Sequence, residues 1–152
     1  MILATHALTG AALGKYVGKT WILILLSIIL HYALDTFRHG EYLDRHSKTK
    51  EAAWKVAIDV GAGAILIFII FFSAKLSLPV LRNMLIGAFF SMLPDLLTFL
   101  YWKGGVKFLK KPFEFHAWVH PYPPFSKERD WNLRNARNDI IISAVAIILL
   151  LF

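Results

Sequence analysis

The sequence predicts an all-α, polytopic membrane protein: a bundle of four to five transmembrane helices with an aromatic and basic loop at the membrane interface. Three observations predict this fold class. Hydrophobic residues make up 57% of the 152 residues, and the mean hydropathy is +0.56, which is high for a soluble domain. The apolar residues gather in five segments, and the polar residues gather in two long stretches between them. The length fits one integral membrane domain, 1–152.

The five apolar segments are 2–18, 21–37, 56–78, 81–101 and 139–152. A helix needs ~20 apolar residues to span the hydrocarbon core. The third and fourth segments meet this length, whereas the second and fifth are short. Lys15 and Lys19 interrupt the end of the first segment but can extend toward the headgroups. Whether 2–18 fully spans stays open.

Two polar stretches, 38–55 and 103–137, hold 13 of the 17 Lys and Arg residues. If all five segments span, both stretches lie on the same side, and the positive-inside rule predicts that this side is cytoplasmic. Aromatic residues beside basic ones suit the headgroup layer, although the same composition can stack on nucleic-acid bases. Next to membrane segments, lipid is the expected partner and nucleic acid is not. The aromatic residues of the second stretch include Phe108, Phe113, Phe115, Trp118, Tyr122, Phe125 and Trp131.

The ionisable residues of the apolar segments fall toward the side of these two stretches. Small residues accompany them at spacings of four, as in Gly10 and Gly14 after His6, and Gly87 and Ser91 before Asp95. Small residues at this spacing let membrane helices approach closely. The sequence therefore predicts that the ionisable side chains lie inside the bundle at one end. They are His6, His31, Asp35, His39, Asp59, Asp95, His116, His120 and Asp139.

The spacing of these residues favours a metal site. His31 precedes Asp35 by four residues, and His116 precedes His120 by four, so each pair lies on one helical face. Nitrogen and oxygen donors without thiolates suit zinc or another divalent ion, and the chain has no Cys. A His–Asp hydrogen bond that merely ties helices together is the alternative.

The sequence also predicts roles for four further residues. Pro121 is expected to end a short helix after His120, and Pro94 to kink the fourth segment beside Asp95. A role for Asp139 as the cap of the fifth segment is favoured, because carboxylates prefer helix N-termini. Asp59 either pairs with Lys55 or belongs to the site.

Four motifs, "THALTG", "HYALDTFRHGEY", "MLPDLL" and "FHAWVH", occur in this order along the chain. Their order and spacing resemble those of small prokaryotic membrane-bound metal-dependent hydrolases, a family distantly similar to zinc-dependent phospholipase C. Arg38 stands where the family pattern has Pro. The resemblance implies a prokaryotic cytoplasmic-membrane protein and these metal ligands: His6, His31, Asp35, His39, Asp95, His116 and His120.

The predicted function is hydrolysis of a phosphoester, with phospholipid as one candidate, by water activated on one to three divalent ions, with zinc favoured. A bound divalent ion lowers the pKa of water to ~7, and Asp95 or Glu41 is the expected base. Nearby Lys and Arg residues are expected to hold the phosphate. The alternatives are a non-catalytic membrane protein that binds or conducts metal ions, and a purely structural membrane protein. Ion transport favours ionisable residues along the whole path, and their confinement to one end favours the hydrolase.

Overall fold

The computed structural model describes residues 1–42, 47–124 and 126–152. In this part of the chain the fold is all-α, as predicted, and the pairing of Glu41 with Asp130 is an isolated bridge outside any strand. Short 3₁₀ turns lie at Lys107–Leu109 and Lys127–Arg129. The six helices are α1 (Leu3–Tyr16), α2 (Thr20–Asp35), α3 (Thr49–Ser73), α4 (Leu78–Trp102), α5 (Lys110–Val119) and α6 (Leu133–Leu151).

Helices α3 and α4 are each long and apolar enough to cross a membrane. Each has 25 residues and is therefore about 38 Å long at 1.5 Å per residue, compared with about 30 Å for the hydrocarbon core. Helix α2 is apolar but has 16 residues, and α1 has 14. By length and composition, the described helices thus include two candidate spans, and the count of four to five is not supported.

Helix α1 lies at the centre of the bundle and packs against α2, α3, α4 and α6. Nine of its 14 residues are buried, and most of these are small. The closest approach is to α4, where a Cβ atom on Gly10 or Gly87 would collide with the carbonyl oxygen of the other glycine. The predicted close packing through small residues is therefore confirmed at this pair.

The bundle end at which α1 finishes has an apolar core. Ala12, Met84 and Leu150 are almost completely buried there. The last carbonyl groups of α6 lack partners within the helix, as at every helix C-terminus. Lys15 Nζ donates to the carbonyls of Leu149 and Leu150 at 3.2 and 3.0 Å, and the Tyr16 hydroxyl donates to Leu149 at 2.7 Å. The side chains of Lys15 and Tyr16 thereby satisfy carbonyl oxygens at the C-terminus of α6.

Helices α3 and α6 begin seven and six residues before the apolar segments that predicted them. Their first turns carry charged side chains, so hydropathy alone places the start too late. The side chain of Asn132 caps α6 and accepts a hydrogen bond from the Asn135 backbone nitrogen at 3.0 Å. The prediction that Asp139 caps this helix is wrong, because Asp139 lies well inside it.

The predicted interfacial loop, 103–137, contains helix α5. This helix ends at Val119, and His120 has extended backbone (φ −69°, ψ 142°), as expected for a residue before a proline. The prediction that Pro121 terminates a short helix is confirmed. Helix α4 continues through Pro94. Phe125, one of the loop aromatics, lies outside the described residues.

Candidate metal centre

The structure brings seven ionisable side chains together where α1 begins and where α2 and α4 end. Most of these side chains are completely or almost completely buried, and Asp95, at 25% side-chain exposure, is the most accessible. The seven are His6 of α1, His31 and Asp35 of α2, His39 after α2, Asp95 of α4, His116 of α5, and His120 after α5. All seven residues that the sequence singled out as ligands thus lie in one cluster.

Asp35 is at the centre of this cluster. Its Oδ2 lies 2.8 Å from His116 Nε2 and 3.0 Å from His31 Nε2. Its Oδ1 lies 3.2 Å from His6 Nε2 and accepts a hydrogen bond from the Met1 nitrogen at 3.0 Å. The two carboxylate oxygens therefore face different sets of nitrogen atoms.

Hydrogen bonds at Nδ1 fix the orientation of two of the imidazole rings. His31 Nδ1 donates to the Ser91 carbonyl at 2.7 Å, and His116 Nδ1 lies 2.7 Å from Thr98 Oγ1. Each ring consequently directs Nε2 toward Asp35. A metal-binding His typically uses its second nitrogen in this way, because the outer bond sets both the tautomer and the ring orientation.

The Nε2 atoms of His31 and His116 both approach one oxygen of Asp35. These two nitrogen atoms are 3.2 Å apart. Since His31 Nδ1 carries the hydrogen donated to Ser91, a neutral His31 has only a lone pair at Nε2. A lone pair and a carboxylate oxygen repel each other at this distance. A hydrogen shared between His31 Nε2 and Asp35 Oδ2, or a metal ion, would relieve this repulsion, and the Met1 nitrogen, 3.0 Å from Asp35 Oδ1, already places a positive charge beside the carboxylate.

The cluster contains two groups of donor atoms that could each hold a metal ion. One group is His31, Asp35, Asp95 and His116, and the other is Asp35, His39 and His120. Within each group the donor atoms lie within 4.8 Å of one another, and Asp35 belongs to both. The buried atoms His39 Nε2, His120 Nδ1 and Asp95 Oδ2 have no hydrogen-bond partner. A cation would satisfy these atoms, which are otherwise costly to bury.

The two His residues of the cluster that lie outside the described helices, His39 and His120, have neutral rings near pH 7. Burial lowers the pKa of His39 to about 2 and that of His120 to about 4. Both rings are therefore neutral near pH 7, with a lone pair available. Metal ligation requires the neutral imidazole, and His39 Nδ1, which donates to the Phe37 carbonyl at 2.8 Å, leaves Nε2 free for it.

The two predicted bases have different surroundings. Asp95 Oδ1 lies 3.7 Å from His116 Nε2, and its Oδ2 lies 3.8 Å from His6 Nε2. Glu41 forms an ion pair with Arg129, and its backbone nitrogen donates to the Arg129 carbonyl at 2.7 Å. Glu41 Oε1 is also 3.9 Å from His120 Nε2. Both carboxylates are thus beside the cluster, and their catalytic roles stay predictions.

Asp59 has a role that sequence reasoning missed. Its carboxylate accepts hydrogen bonds from the backbone nitrogens of Leu3 and Ala4 at 2.7 and 3.1 Å. It therefore caps the first turn of α1 from the neighbouring helix α3 and satisfies donors that the helix itself cannot. Lys55 does not need Asp59 as a partner, because it forms an ion pair with Glu51 at 2.7 Å.

Asp139 acts on α1 in the same way from α6. Its Oδ1 accepts hydrogen bonds from the Ile2 nitrogen at 2.9 Å and from the Thr5 hydroxyl at 3.3 Å. Two carboxylates from two helices thus hold the turn that precedes His6. They position a member of the cluster rather than extend it.

Arg129 is a second residue that the sequence did not single out individually. Its side chain is almost fully buried, and burial lowers its pKa to about 10, so it is cationic at neutral pH. Together with Asp95, His116 and His120 it lines a cavity of about 580 Å³. A fixed cation beside the cluster can bind an anionic group.

No protein-family model matches this chain, and neither the curated proteins nor the solved structures gave a match. The resemblance to membrane-bound metal-dependent hydrolases therefore stays a prediction. What the geometry establishes is a buried His/Asp cluster that could hold a metal ion.

Proposed function

We propose that this protein is a membrane-embedded metal-dependent hydrolase that cleaves a phosphoester at the His/Asp cluster. The observation that carries the proposal is the position of Asp35, whose carboxylate is shared by two groups of nitrogen and oxygen donors. The cluster also borders a cavity of about 580 Å³, which is within the usual range of about 300–1,000 Å³ for ligand pockets. A buried structural hydrogen bond would need neither the second donor group nor the cavity.

The two donor groups support two divalent ions that share Asp35. One would be held by His31, His116 and Asp95, and the other by His39 and His120. His6 completes the surroundings of Asp35 at 3.2 Å. Imidazole and carboxylate donors without thiolates favour zinc among the divalent metals, although manganese and iron accept the same donors.

In the proposed phosphoester hydrolysis, the side chains around the cavity have different roles. A divalent ion held in the cluster would supply Lewis acidity and a water molecule of lowered pKa. Asp95, which is part-exposed and lines the cavity, is placed to accept the proton of the attacking water. Arg129 would bind the negative charge that develops on the phosphoryl oxygens. Glu41 is held by Arg129 in an ion pair, which favours Asp95 over Glu41 as the base.

Ion conduction is the second candidate, and the opposite end of the bundle argues against it. A path for ions needs ionisable or polar groups along its length. The residues buried beyond the cluster include Leu8, Ile67 and Met84. The cluster therefore has a polar surrounding on one side only, as an enzyme site at a membrane surface would.

The proposal places α1, α2 and α6 in the bilayer beside α3 and α4, giving four to five spans. Exposed apolar side chains on α2 and α6, such as Ile29, Ile141 and Ile148, support this placement, because such faces suit lipid. The excess of Lys and Arg in 38–55 and 103–137 supports a cytoplasmic site.

The orientation can be measured by labelling, since the chain has no Cys. Thr49 begins α3, Ser77 precedes α4 in the turn beyond the other end of α3, and both residues are exposed. An impermeant thiol reagent outside intact cells should label Ser77→Cys and leave Thr49→Cys unlabelled. The reverse pattern would invert the topology.

Metal content and chelator-sensitive hydrolysis test the proposed function. Protein purified in detergent should retain zinc or a similar ion at one to two equivalents, by elemental analysis after dialysis, if the two donor groups are metal sites. It should hydrolyse a soluble phosphodiester such as bis(p-nitrophenyl) phosphate, or a phospholipid, and lose this activity with a chelator until metal is restored. Metal-free protein that cannot be reloaded would contradict the metal centre. Bound metal without any chelator-sensitive turnover would favour the non-catalytic alternative.

A further inference from the structure

A cleft between the two membrane-length helices leads to the cluster. It is part of the cavity of about 580 Å³, and its walls are formed by Val56 and Val60 of α3 and by Phe89 and Leu93 of α4. Leu3 of α1 lines its back. The cleft therefore joins the metal cluster to the part of the molecule that faces lipid.

The cleft is apolar along its length and polar only beside the cluster. Among the described lining residues that α3 and α4 contribute, Asp95 alone is ionisable. Phe89 precedes Asp95 by six residues, which is about 9 Å along the helix axis. A polar substrate group placed in this stretch would lose its hydration without gaining a partner, whereas a hydrocarbon chain would lose nothing.

The rim of the cleft is open on its outer side. Phe89 and Leu96 line it and are 51% and 42% exposed. Because α3 and α4 are the helices long enough to cross the bilayer, this rim lies at the depth of lipid chains. A chain could enter sideways from the bilayer without passing through water.

We infer that the substrate is a membrane lipid that stays in the bilayer, with one acyl chain in the α3–α4 cleft and its anionic phosphoester at the cluster. This inference rests on the proposed function, and it specifies a membrane lipid as the substrate. Complementarity supports a lipid substrate. The cationic Arg129 beside the His/Asp cluster suits an anionic phosphate, and the apolar walls of the cleft suit an acyl chain. A soluble phosphoester would use the polar end alone and would leave the cleft without a role.

A matched pair of tryptophan substitutions tests this inference. Val60→Trp fills the cleft from α3, whereas Ile58→Trp adds the same ring two residues away, where Ile58 is 55% exposed and does not line the cavity. The probe is phosphatidylglycerol with a diazirine in its acyl chain, added to metal-free protein in nanodiscs, with the crosslinked residues mapped by mass spectrometry. Wild-type protein and Ile58→Trp should crosslink preferentially at the cleft walls. Val60→Trp should lower this yield by at least about tenfold, as loss of the binding site requires.

The same variants are compared on two substrates. Val60→Trp should lower turnover of long-chain phosphatidylglycerol by at least about tenfold while leaving turnover of bis(p-nitrophenyl) phosphate nearly unchanged, because remote binding energy is lost only with the lipid. If Val60→Trp does not fold, Ala57→Leu obstructs the same cleft from an exposed position. Crosslinks spread over all lipid-facing helices, or equal effects on both substrates, would overturn the inference. If wild-type protein hydrolyses neither substrate, the proposed function fails, and the crosslinking alone decides whether the cleft holds a lipid chain.

Discussion

The two ends of the helix bundle bury different kinds of side chain. At the end where α1 finishes, the buried residues include Ala12, Met84 and Leu150. At the end where α1 begins, His6 and Asp35 are completely inaccessible to solvent. Burial of apolar groups stabilises a fold, whereas burial of ionisable groups costs free energy unless they are paired. The comparison indicates that burial at the apolar end stabilises the bundle, whereas the buried groups at the other end cost free energy unless they are paired or hold a cation.

Helix α1 connects the two ends. Its first turn is held by the carboxylates of Asp59 and Asp139, and its glycines pack against α4. A change at one end of α1 should therefore affect metal binding, and a change at the other should affect stability. Substitutions at the two ends therefore separate the effect on metal binding from the effect on stability.

Asp35→Asn should have the largest effect and should act on the cluster end alone. The amide has nearly the shape of the carboxylate but lacks the charge that would hold two cations. Loss of an outer-shell partner costs ~10–100-fold in metal affinity, and loss of a shared ligand should cost more. Elemental analysis should find metal-free Asp35→Asn without hydrolytic activity, while circular dichroism remains helical.

Asp130→Asn is the matched control, because Asp130 is exposed and lies outside both donor groups. It should retain metal and activity at the wild-type level. If Asp35→Asn also retains both, Asp35 is a structural partner of His31 and does not hold the metal ion.

Gly87→Ala should act on the packing of α1 against α4. The new Cβ would meet the carbonyl oxygen of Gly10, and a backbone atom cannot move aside as a flexible side chain can. Overpacking of this kind costs ~1–3 kcal/mol. Thermal unfolding in detergent should therefore show a lowered midpoint, while the folded protein retains its metal.

Gly61→Ala makes the same substitution on α3, where no atom lies within 4 Å of the new Cβ. It should raise stability by ~0.4–1 kcal/mol, because alanine restricts the unfolded chain more than glycine does. Equal effects of Gly87→Ala and Gly61→Ala would mean that the contact between Gly10 and Gly87 does not hold the helices together.

Local patterns in the sequence predicted most of the cluster and part of the fold. The spacing of four between His31 and Asp35 is a property of one helix, so it could be read directly. The capping of α1 by Asp59 and Asp139 joins residues 56 and 137 positions apart, and no local pattern encodes such a pairing. The start of α3 was also missed, because its first turns carry Lys50, Glu51 and Lys55 rather than apolar residues.

A substitution at Asp59 should have a smaller effect than Gly87→Ala, and it distinguishes a residue that supports the cluster from one that belongs to it. Asp59→Ala removes the acceptor for the backbone nitrogens of Leu3 and Ala4. Loss of a helix cap costs ~0.5–2 kcal/mol, and since His6 follows this turn, metal affinity should fall less than in Asp35→Asn.

Asp59→Asn keeps one of the two oxygens that accept these hydrogen bonds, because Leu3 donates to Oδ2 and Ala4 donates to Oδ1. Its thermal midpoint and its metal affinity, measured by competition with a chelator, should therefore lie between the wild-type values and those of Asp59→Ala. A ligand would behave differently, because a metal ion needs the carboxylate charge and not only the oxygen. If Asn and Ala at position 59 lower metal affinity equally, Asp59 contributes to the cluster through its charge. Asp59 would then be a member of the cluster and not only the cap of the first turn of α1.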